Sequence, residues 1–569
     1  MAKKKEAQTQ YPWLKAYPSN IAWNAKIPQG LVFDMLKDTA SRYPNRFAID
    51  FLGKKYTYHE LYQLVKRAAK GLQELGVKKG TRVGLFMPNT PSYVIFYYAI
   101  LKAGGTVVNF SPLYVAREIE HQIKDSETEI MVTLDLNALY PKVHEMFLKT
   151  RLKKIIVCPL KEQLPFPKNY LFPVFKRKEI TKIDWDDRHV SFQDLINNDG
   201  AVKHIDLKEA EDIALLQYTG GTTGVPKGAM LTHANVYCNA HQAEMWFLRP
   251  KDAHDKILAA LPLFHVFAMT AVMNLAILVG AEIVMMFPRF KVLDALRLIH
   301  KHKITFFPAV PTIYTLICDF PAVRKFDLSS LIACLSGGAP LPGEVKRRFE
   351  EMTGCKLVEA YGLSETSPAA TSNPLYGLNK IGSIGIPFPA TIVKIVSLED
   401  HVSEMPLGEK GEICIKGPQV MKGYWNNPDE TAAMLQNGLF RTGDVGYMDD
   451  EGYTFLIDRI KDLILSSGYN IYPRRIEEAI YLHPMVLECT VIGVADKKRG
   501  EVAKAFVKLK PESTLTEEAL FAFLKDKLSP IEMPKYIEFR DQLPKTIIGK
   551  LSKKELVAEE KARKAKKTK

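Results

Sequence analysis

No Cys-x-x-Cys pair occurs in the sequence, and its seven cysteines (158, 238, 318, 334, 355, 414 and 489) are scattered and odd in number. That excludes a disulfide framework and a zinc finger, and it suits a reducing compartment. The opening Met-Ala-Lys-Lys-Lys-Glu is charged with no apolar stretch behind it, so no signal peptide is read and a cytoplasmic protein is expected. One segment, 268–287, imitates a membrane span, but Asn274, Gly280 and Glu282 interrupt it. A buried helix over 269–279, a turn at Gly280 and a strand over 282–287 are expected there. Nucleic-acid signatures are missing as well: no aromatic RNP pattern and no Cys/His finger accompany the net charge of +14. Part of that charge lies in Lys561–Lys569, read as a disordered basic tail. The excess is assigned to a solvated face and tail, with no nucleic-acid partner. It leaves room for peripheral contact with the inner membrane surface. Neither repeats nor composition argue for or against a homodimer, which stays open.

What is present is a chain of 569 residues, 47% hydrophobic and 25% charged, enough for a large core and about three to five structural units. Leu61, Leu64, Val65, Ala68 and Leu72 follow helical spacing, with a stop at Gly76. Val83–Met87 reads as a strand, Ser92–Ala103 as a helix and Thr106–Phe110 as a strand. This βαβ order implies a parallel sheet covered on both faces, and it resumes through Ile304–Phe307 and Leu331–Ser336. After about residue 375 short strands and turns dominate. A further change falls near Asp458–Asp462. The expected fold is therefore α/β: doubly wound parallel-sheet subdomains with a small β-barrel-like unit over 1–458 (about 30–215, 216–375 and 376–458), then a small α+β domain over 459–569.

The most informative run is Tyr218–Gly228, Tyr-Thr-Gly-Gly-Thr-Thr-Gly-Val-Pro-Lys-Gly. Its glycines (Gly220, Gly221, Gly224, Gly228) let backbone N–H groups approach an anion. Thr219, Thr222 and Thr223 add hydroxyls, and Lys227 adds a full charge. The preceding Asp212–Gln217 reads as a buried strand, so the loop hangs from a sheet end, where α/β folds place ligands. A polyphosphate needs such a cradle. The run is not a Walker A motif, because Lys227 follows a proline and precedes Gly228.

Further stations follow. Leu263–Phe267 sets one imidazole, His265, in an apolar run. Ser336-Gly337-Gly338-Ala339-Pro340 permits close backbone approach. Glu359–Thr366 offers an aromatic face and a carboxylate. Arg441-Thr442-Gly443-Asp444, Asp458–Asp462, Ser467-Gly468-Tyr469-Asn470 and Leu543–Lys550 complete the series. In this order and spacing they resemble the acyl-adenylate-forming enzymes, specifically the long-chain fatty-acid–CoA ligases, over nearly the whole chain. The run Lys416–Trp425 is similar to the long-chain branch.

The resemblance implies a two-step ligase: ATP and a fatty acid give acyl-AMP and pyrophosphate, then CoA gives acyl-CoA and AMP. It implies Mg²⁺ as cofactor, with ATP and CoA as co-substrates. Thr219, Gly220, Gly221, Thr222, Thr223, Gly224 and Lys227 would hold phosphates. Glu365 would ligate the metal. Tyr361 would stack on adenine, walled by Gly337, Gly338 and Ala339, with Gly362 and Ser364 beside it. Asp444 would bind the ribose, assisted by Arg459. Lys550 would reach the carboxylate and α-phosphate. The C-terminal domain would swing about a hinge at Lys461, and Ser467, Gly468 and Tyr469 would pass CoA. Phe264, His265, Phe267 and Gly362 would line an acyl channel, with His265 as a gate. Gly362, where acetate-using relatives carry a plugging tryptophan, would leave that channel open.

Three departures stand out: Gly220 replaces a common serine, Ser364 a common threonine, and Leu-Ser-Lys-Lys follows Lys550. Read from the residues alone, His265, Glu365, Asp444 and Lys550 could each be packing or solvated groups. Two other functions fit much of the pattern, an aryl-acid CoA ligase and a non-catalytic lipid- or nucleotide-binding relative. No carrier module follows Lys550, which speaks against an adenylation domain serving a carrier protein.

Overall fold

Strands that are apolar on both faces belong in the middle of a helix-covered parallel sheet, and the sequence supplies two such sets. The computed structural model describes residues 11–219, 226–247, 254–467, 469–496, 498–545 and 551–567. In the first set, Arg82–Phe86, Thr106–Asn109, Ile130–Leu134 and Lys154–Cys158 are buried almost throughout and pair in parallel. They form an eight-stranded sheet in the order Gly423–Tyr424, Lys227–Thr232, Ile213–Thr219, Thr106–Asn109, Arg82–Phe86, Ile130–Leu134, Lys154–Cys158, His189–Ser191. Only Lys227–Thr232 runs against both its neighbours.

The second sheet has nine strands: Ile386–Pro387, Ala369–Ser372, Lys356–Gly362, Ala333–Gly337, Phe306–Ala309, Lys256–Ala259, Glu282–Met285, Phe47–Phe51, Lys54–Thr57. Its centre is parallel from Lys356–Gly362 to Phe47–Phe51. The early hairpin Phe47–Thr57 thus leaves its sequence neighbours for the sheet built later in the chain. A sub-unit boundary at 215/216 would cut the strand Ile213–Thr219, which pairs with both Thr106–Asn109 and Lys227–Thr232.

Helix Pro91–Lys102 is buried from Pro91 to Leu101, as a helix apolar all round must be. Its Tyr98 hydroxyl donates to Asn274 Oδ1 at 2.8 Å. That partner explains the polar interruption in 268–287. The expected helix, turn and strand are present there, with Gly280 in the left-handed region and the strand at Glu282–Met285. Residues Met269–Asn274, however, wind as a wider π-helix. The Thr270 hydroxyl donates to the Ser367 carbonyl at 2.7 Å, which fastens that turn. Among the described residues no helix is long and apolar enough to cross a membrane.

By its contacts the chain forms two compact units, Met1–Ile392 with Ile415–Phe440, and Val393–Cys414 with Arg441–Lys569. Strand Thr454–Arg459 sits within the second because it pairs with residues 444–448. It also receives Arg474, whose backbone N–H donates to Asp458 Oδ2 and whose guanidinium donates to the Leu456 carbonyl, both at 2.7 Å. Five strands, Tyr469–Ile471, Ile464–Ser466, Gly500–Leu509, Val486–Asp496 and Tyr536–Phe539, build the C-terminal sheet. Ile476, Ile480, Leu520 and Leu524 from its helices pack with Val491, Ala505 and Val507.

The basic tail differs from expectation. Lys553–Lys567 is a helix rather than a disordered run. Leu556 is fully buried on it. Glu560 pairs with Lys504 at 2.8 Å, Glu559 with Arg540 at 2.8 Å, and Arg563 with Glu538 at 2.9 Å. Several charges on one helix meeting a complementary strand form a network, which holds where isolated surface pairs would not.

His233 opens helix His233–Trp246, and its Nδ1 accepts the Val32 N–H at 3.2 Å. Burial pushes its pKa from 6.5 down to about 4. The folded state therefore holds a neutral imidazole, and its stabilising contribution is full above 6.5 and lost as pH falls through about 4. Urea unfolding should show His233→Gln lacking up to about 3 kcal/mol of the wild type's loss of stability between about pH 7 and pH 4.

Candidate active site

The phosphate-type loop is the connection of a hairpin. Thr219 faces Lys227 across the antiparallel pair and Tyr218 faces Gly228. The Thr219 hydroxyl lies 3.5 Å from the Lys227 carbonyl. Gly220, Gly221, Thr222, Thr223 and Gly224 lie outside the described residues. The sequence pattern shows the strand entering the loop but not the one leaving it, because Lys227-Gly-Ala-Met-Leu-Thr232 is masked by Pro226 and two glycines.

Lys227 is not left to solvent. Its ammonium forms an ion pair with Glu430 and lies 5.6 Å from the centre of the Tyr424 ring. Glu430 sits in the first turn of helix Pro428–Met434, where Asn427 Oδ1 accepts its N–H at 3.2 Å. Tyr424 is held beside the hairpin by its pairing with Ala229, and the next residue, Trp425, donates its N–H to the Gly228 carbonyl at 2.8 Å. The Tyr424 hydroxyl donates to Glu365 Oε1 at 2.8 Å. Burial, then the charges of Glu365 and Glu430, raise its pKa far above the ordinary value, so it remains a donor.

Glu365 lies on a short turn, Ser364–Thr366, after strand Lys356–Gly362. It is buried, and its backbone carbonyl accepts the Met421 N–H at 2.8 Å. Lys227 and Glu365 are thus joined through Glu430 and Tyr424: one ammonium and two carboxylates around one phenol. Among the described residues no group of three or more His, Cys, Asp or Glu side chains could hold a metal. A single buried carboxylate still fits Mg²⁺, which takes one or two protein carboxylates and completes its shell with water and phosphate oxygens.

Tyr361, Gly362 and Ser364 are half-buried in this stretch, and Gly337 closes the neighbouring strand, with Gly338 exposed and Ala339 half-buried after it. A Cβ at Gly337 would lie 3.2 Å from the Phe267 ring, which sets Phe267 against that strand end. A Cβ at Gly362 would come within 1.8 Å of the Pro368 carbonyl oxygen. No side chain fits there without displacing the adjacent strand. Backbone packing therefore favours glycine at this position in this structure.

Residues 261–264 are pinned by buried polar groups from a loop (Asn89), helix Pro91–Lys102 (Tyr93) and strand Ile213–Thr219 (Gln217). Asn89 donates to the Leu261 carbonyl and accepts the Leu263 N–H, both at 2.8 Å. Tyr93 donates to the Leu263 carbonyl at 3.0 Å and Gln217 to the Phe264 carbonyl at 3.3 Å. Nothing in the sequence pattern singles out these four contacts, since each partner is distant in the chain. His265 Nδ1 accepts the Phe267 N–H at 3.3 Å and so caps the next turn. Phe264, His265 and Phe267 are half-buried, whereas Met269, Val272 and Met273 are fully buried.

In the second unit, Asp444 and Arg459 are register partners, and the Arg459 Nε lies 3.0 Å from the buried Asp444 Oδ1. Two residues from separate sequence motifs, expected to act together, thus form one pair. Lys461 is exposed on the turn Ile460–Asp462 that follows. Ser467 and Tyr469 are exposed, and the Ser467 N–H donates to the Arg499 carbonyl at 2.8 Å. Gly468 and Lys550 lie outside the described residues.

The AMP-binding enzyme family matches residues 36–425, and its C-terminal domain matches residues 475–550. The chain belongs to the AMP-binding enzyme family. This AMP-binding enzyme is 45% identical to a long-chain-fatty-acid–CoA ligase of Bacillus subtilis (strain 168), over 97% of the chain and 99% of the relative. Among solved structures it is similar to ATP-bound MatB from Rhodopseudomonas palustris, with a TM-score of 0.82 at 29% identity, over 93% of this chain and 98% of that one. It is also similar to the Bacillus subtilis o-succinylbenzoate CoA synthetase in complex with ATP and magnesium ion, with a TM-score of 0.75 at 27% identity, over 92% and 98% of the two chains.

Sequence reasoning missed Tyr424 and Glu430, although Tyr424 lies within the quoted run Lys416–Trp425. The signal was there: Asn427-Pro428-Asp429-Glu430 is a helix start, which fixes the Glu430 side chain just after the strand. An anion that pairs with Lys227 has to compete with Glu430 for it. Glu430→Gln should tighten pyrophosphate binding about two- to fivefold by calorimetry, the worth of one partly exposed ion pair. Unchanged affinity would mean that Lys227 does not meet the anion.

Proposed function

We propose that this AMP-binding enzyme is an AMP-forming long-chain fatty-acid–CoA ligase. The observation that carries the acyl specificity is the near full-length identity to the Bacillus subtilis ligase. The adenylate chemistry is supported by the hairpin loop with Lys227 at its exit and Glu365 beside it.

In the first half-reaction a fatty carboxylate oxygen bonds to the α-phosphorus of ATP. The bond from that phosphorus to the bridging oxygen breaks, and pyrophosphate leaves with the electron pair. Two anions must meet for this to happen. At 4 Å they repel by about 4 kcal/mol at an effective dielectric of 20. Thr219, the loop hydroxyls of Thr222 and Thr223, and Lys227 hold the β- and γ-phosphates. Glu365, kept in place by Tyr424, ligates Mg²⁺, which neutralises phosphate charge when bound. Lys550 meets the carboxylate and the α-phosphate. Tyr361 stacks on adenine with Gly337–Ala339 at its edge, and Asp444 with Arg459 takes the ribose. In the second half-reaction the CoA sulfur bonds to the acyl carbon, the bond to AMP breaks, and the thiol proton goes to solvent. Residues 459–569 act as the mobile element, turning at Lys461 and presenting Ser467, Gly468 and Tyr469 to CoA. Phe264, His265 and Phe267 meet the acyl chain.

The test is CoA-ester formation from acetate up to about C20, with several aryl acids alongside. Each added methylene that is buried contributes about 0.8 kcal/mol, so kcat/KM should rise steeply with length to an optimum at about C12–C18. A preference for a cinnamate or benzoate would overturn the fatty-acid reading. Absence of any CoA ester would overturn the ligase reading itself.

A further inference from the structure

One surface of the first unit is built the wrong way round for a soluble protein. Helix Lys168–Phe175 contributes no fully buried residue. Asn169, Phe172 and Pro173 are half-buried against the protein, at helical spacing. The opposite face carries Tyr170 at 69% exposure, Leu171 at 46%, Val174 at 71% and Phe175 at 77%. Phe166, 81% exposed, extends that face one turn back and meets Tyr170 edge-on, with ring centres 6.1 Å apart. The outward face is therefore more apolar than the inward one.

Basic residues frame it. Between 161 and 182 there are six lysines and arginines against two glutamates. Lys176, Arg177 and Lys178 follow the helix directly and are exposed, and Lys182 is exposed beyond them. One glutamate, Glu179, is already engaged by Lys176 at 2.6 Å. Lys168 is tied back to the body, donating to the Leu52 carbonyl at 2.8 Å. The helix is thus anchored while its aromatic and aliphatic face stays outward.

We propose that Phe166–Lys182 is a docking surface for an anionic lipid bilayer, with Phe166, Tyr170, Leu171, Val174 and Phe175 entering the headgroup boundary and Lys176–Lys178 meeting lipid phosphates. An exposed apolar stripe alone would fit a protein partner equally well. The flanking cations decide between them: an apolar face with a lysine- and arginine-rich margin is the pattern of helices that lie in a charged interface. The surface lies apart from Lys227, Glu365 and Tyr424 in the sequence and shares no side chain with them. Its use does not depend on the ligase reading, although a substrate that partitions into membranes would profit from it.

The test is co-sedimentation of the full chain with phosphatidylcholine vesicles, with and without phosphatidylglycerol, alongside analytical ultracentrifugation without lipid. The wild type is expected to bind the anionic vesicles and to release with salt. Val174→Ser with Phe175→Ser should weaken binding at least about tenfold. Lys176→Gln, Arg177→Gln and Lys178→Gln together should abolish the preference for phosphatidylglycerol. Both variants should keep the wild-type melting temperature, since none of these side chains is buried. Equal binding by wild type and variants would overturn the proposal, as would no binding. A dimer that dissociates in the serine variant would overturn it too, in favour of a second copy of the chain on this face.

Discussion

A carboxylate taken out of water must find a donor or a cation, and the first unit is organised around that constraint at Glu365. The donor is the Tyr424 hydroxyl, and the nearby cation is Lys227, itself held by Glu430. To bring these groups together the chain returns from residue 424 to add a strand beside the hairpin that carries the loop. The edge of the first sheet is thereby completed by residues 423–424, far downstream of the strand Lys227–Thr232 that they pair with. In the proposed reaction, this group of one ammonium and two carboxylates exchanges a protein anion for a bound one.

The second constraint is steric. Gly362 lies where the following strand doubles back, and the Pro368 carbonyl occupies the space of any side chain. The segment Leu261–Phe267 is held separately, by its backbone, through Asn89, Tyr93 and Gln217. Positioning through backbone carbonyls leaves the Phe264, His265 and Phe267 side chains to be set by packing and, in the proposed reaction, by the acyl chain.

Most of the parallel-sheet architecture was legible, because the strands expected at Val83–Met87 and Thr106–Phe110, found at Arg82–Phe86 and Thr106–Asn109, are apolar on both faces and alternate with helices. The joining of Phe47–Thr57 to the second sheet was not, since hairpins carry no mark of which sheet they extend. The helical tail was hidden for another reason. Its lysine run draws the eye from Glu559 and Glu560 on the same helix, which pair with Arg540 and Lys504 at the C-terminal sheet, and from Arg563, which pairs with Glu538 there. At the site, Lys227 and Glu365 were visible in their motifs. Tyr424 and Glu430, which connect them, were hidden because a hydrogen bond and an ion pair across the fold have no local pattern.

The central claim is that the charge cluster at the hairpin exit binds the triphosphate through which a fatty anion reacts. Fatty-acid-dependent ATP–pyrophosphate exchange tests it most directly, because exchange reports the first half-reaction alone. The account predicts exchange in the wild type and a fall of at least about a hundredfold in Lys227→Met, the usual consequence of losing an aligned charge at a transition state. Full-speed exchange in the well-folded variant would contradict it.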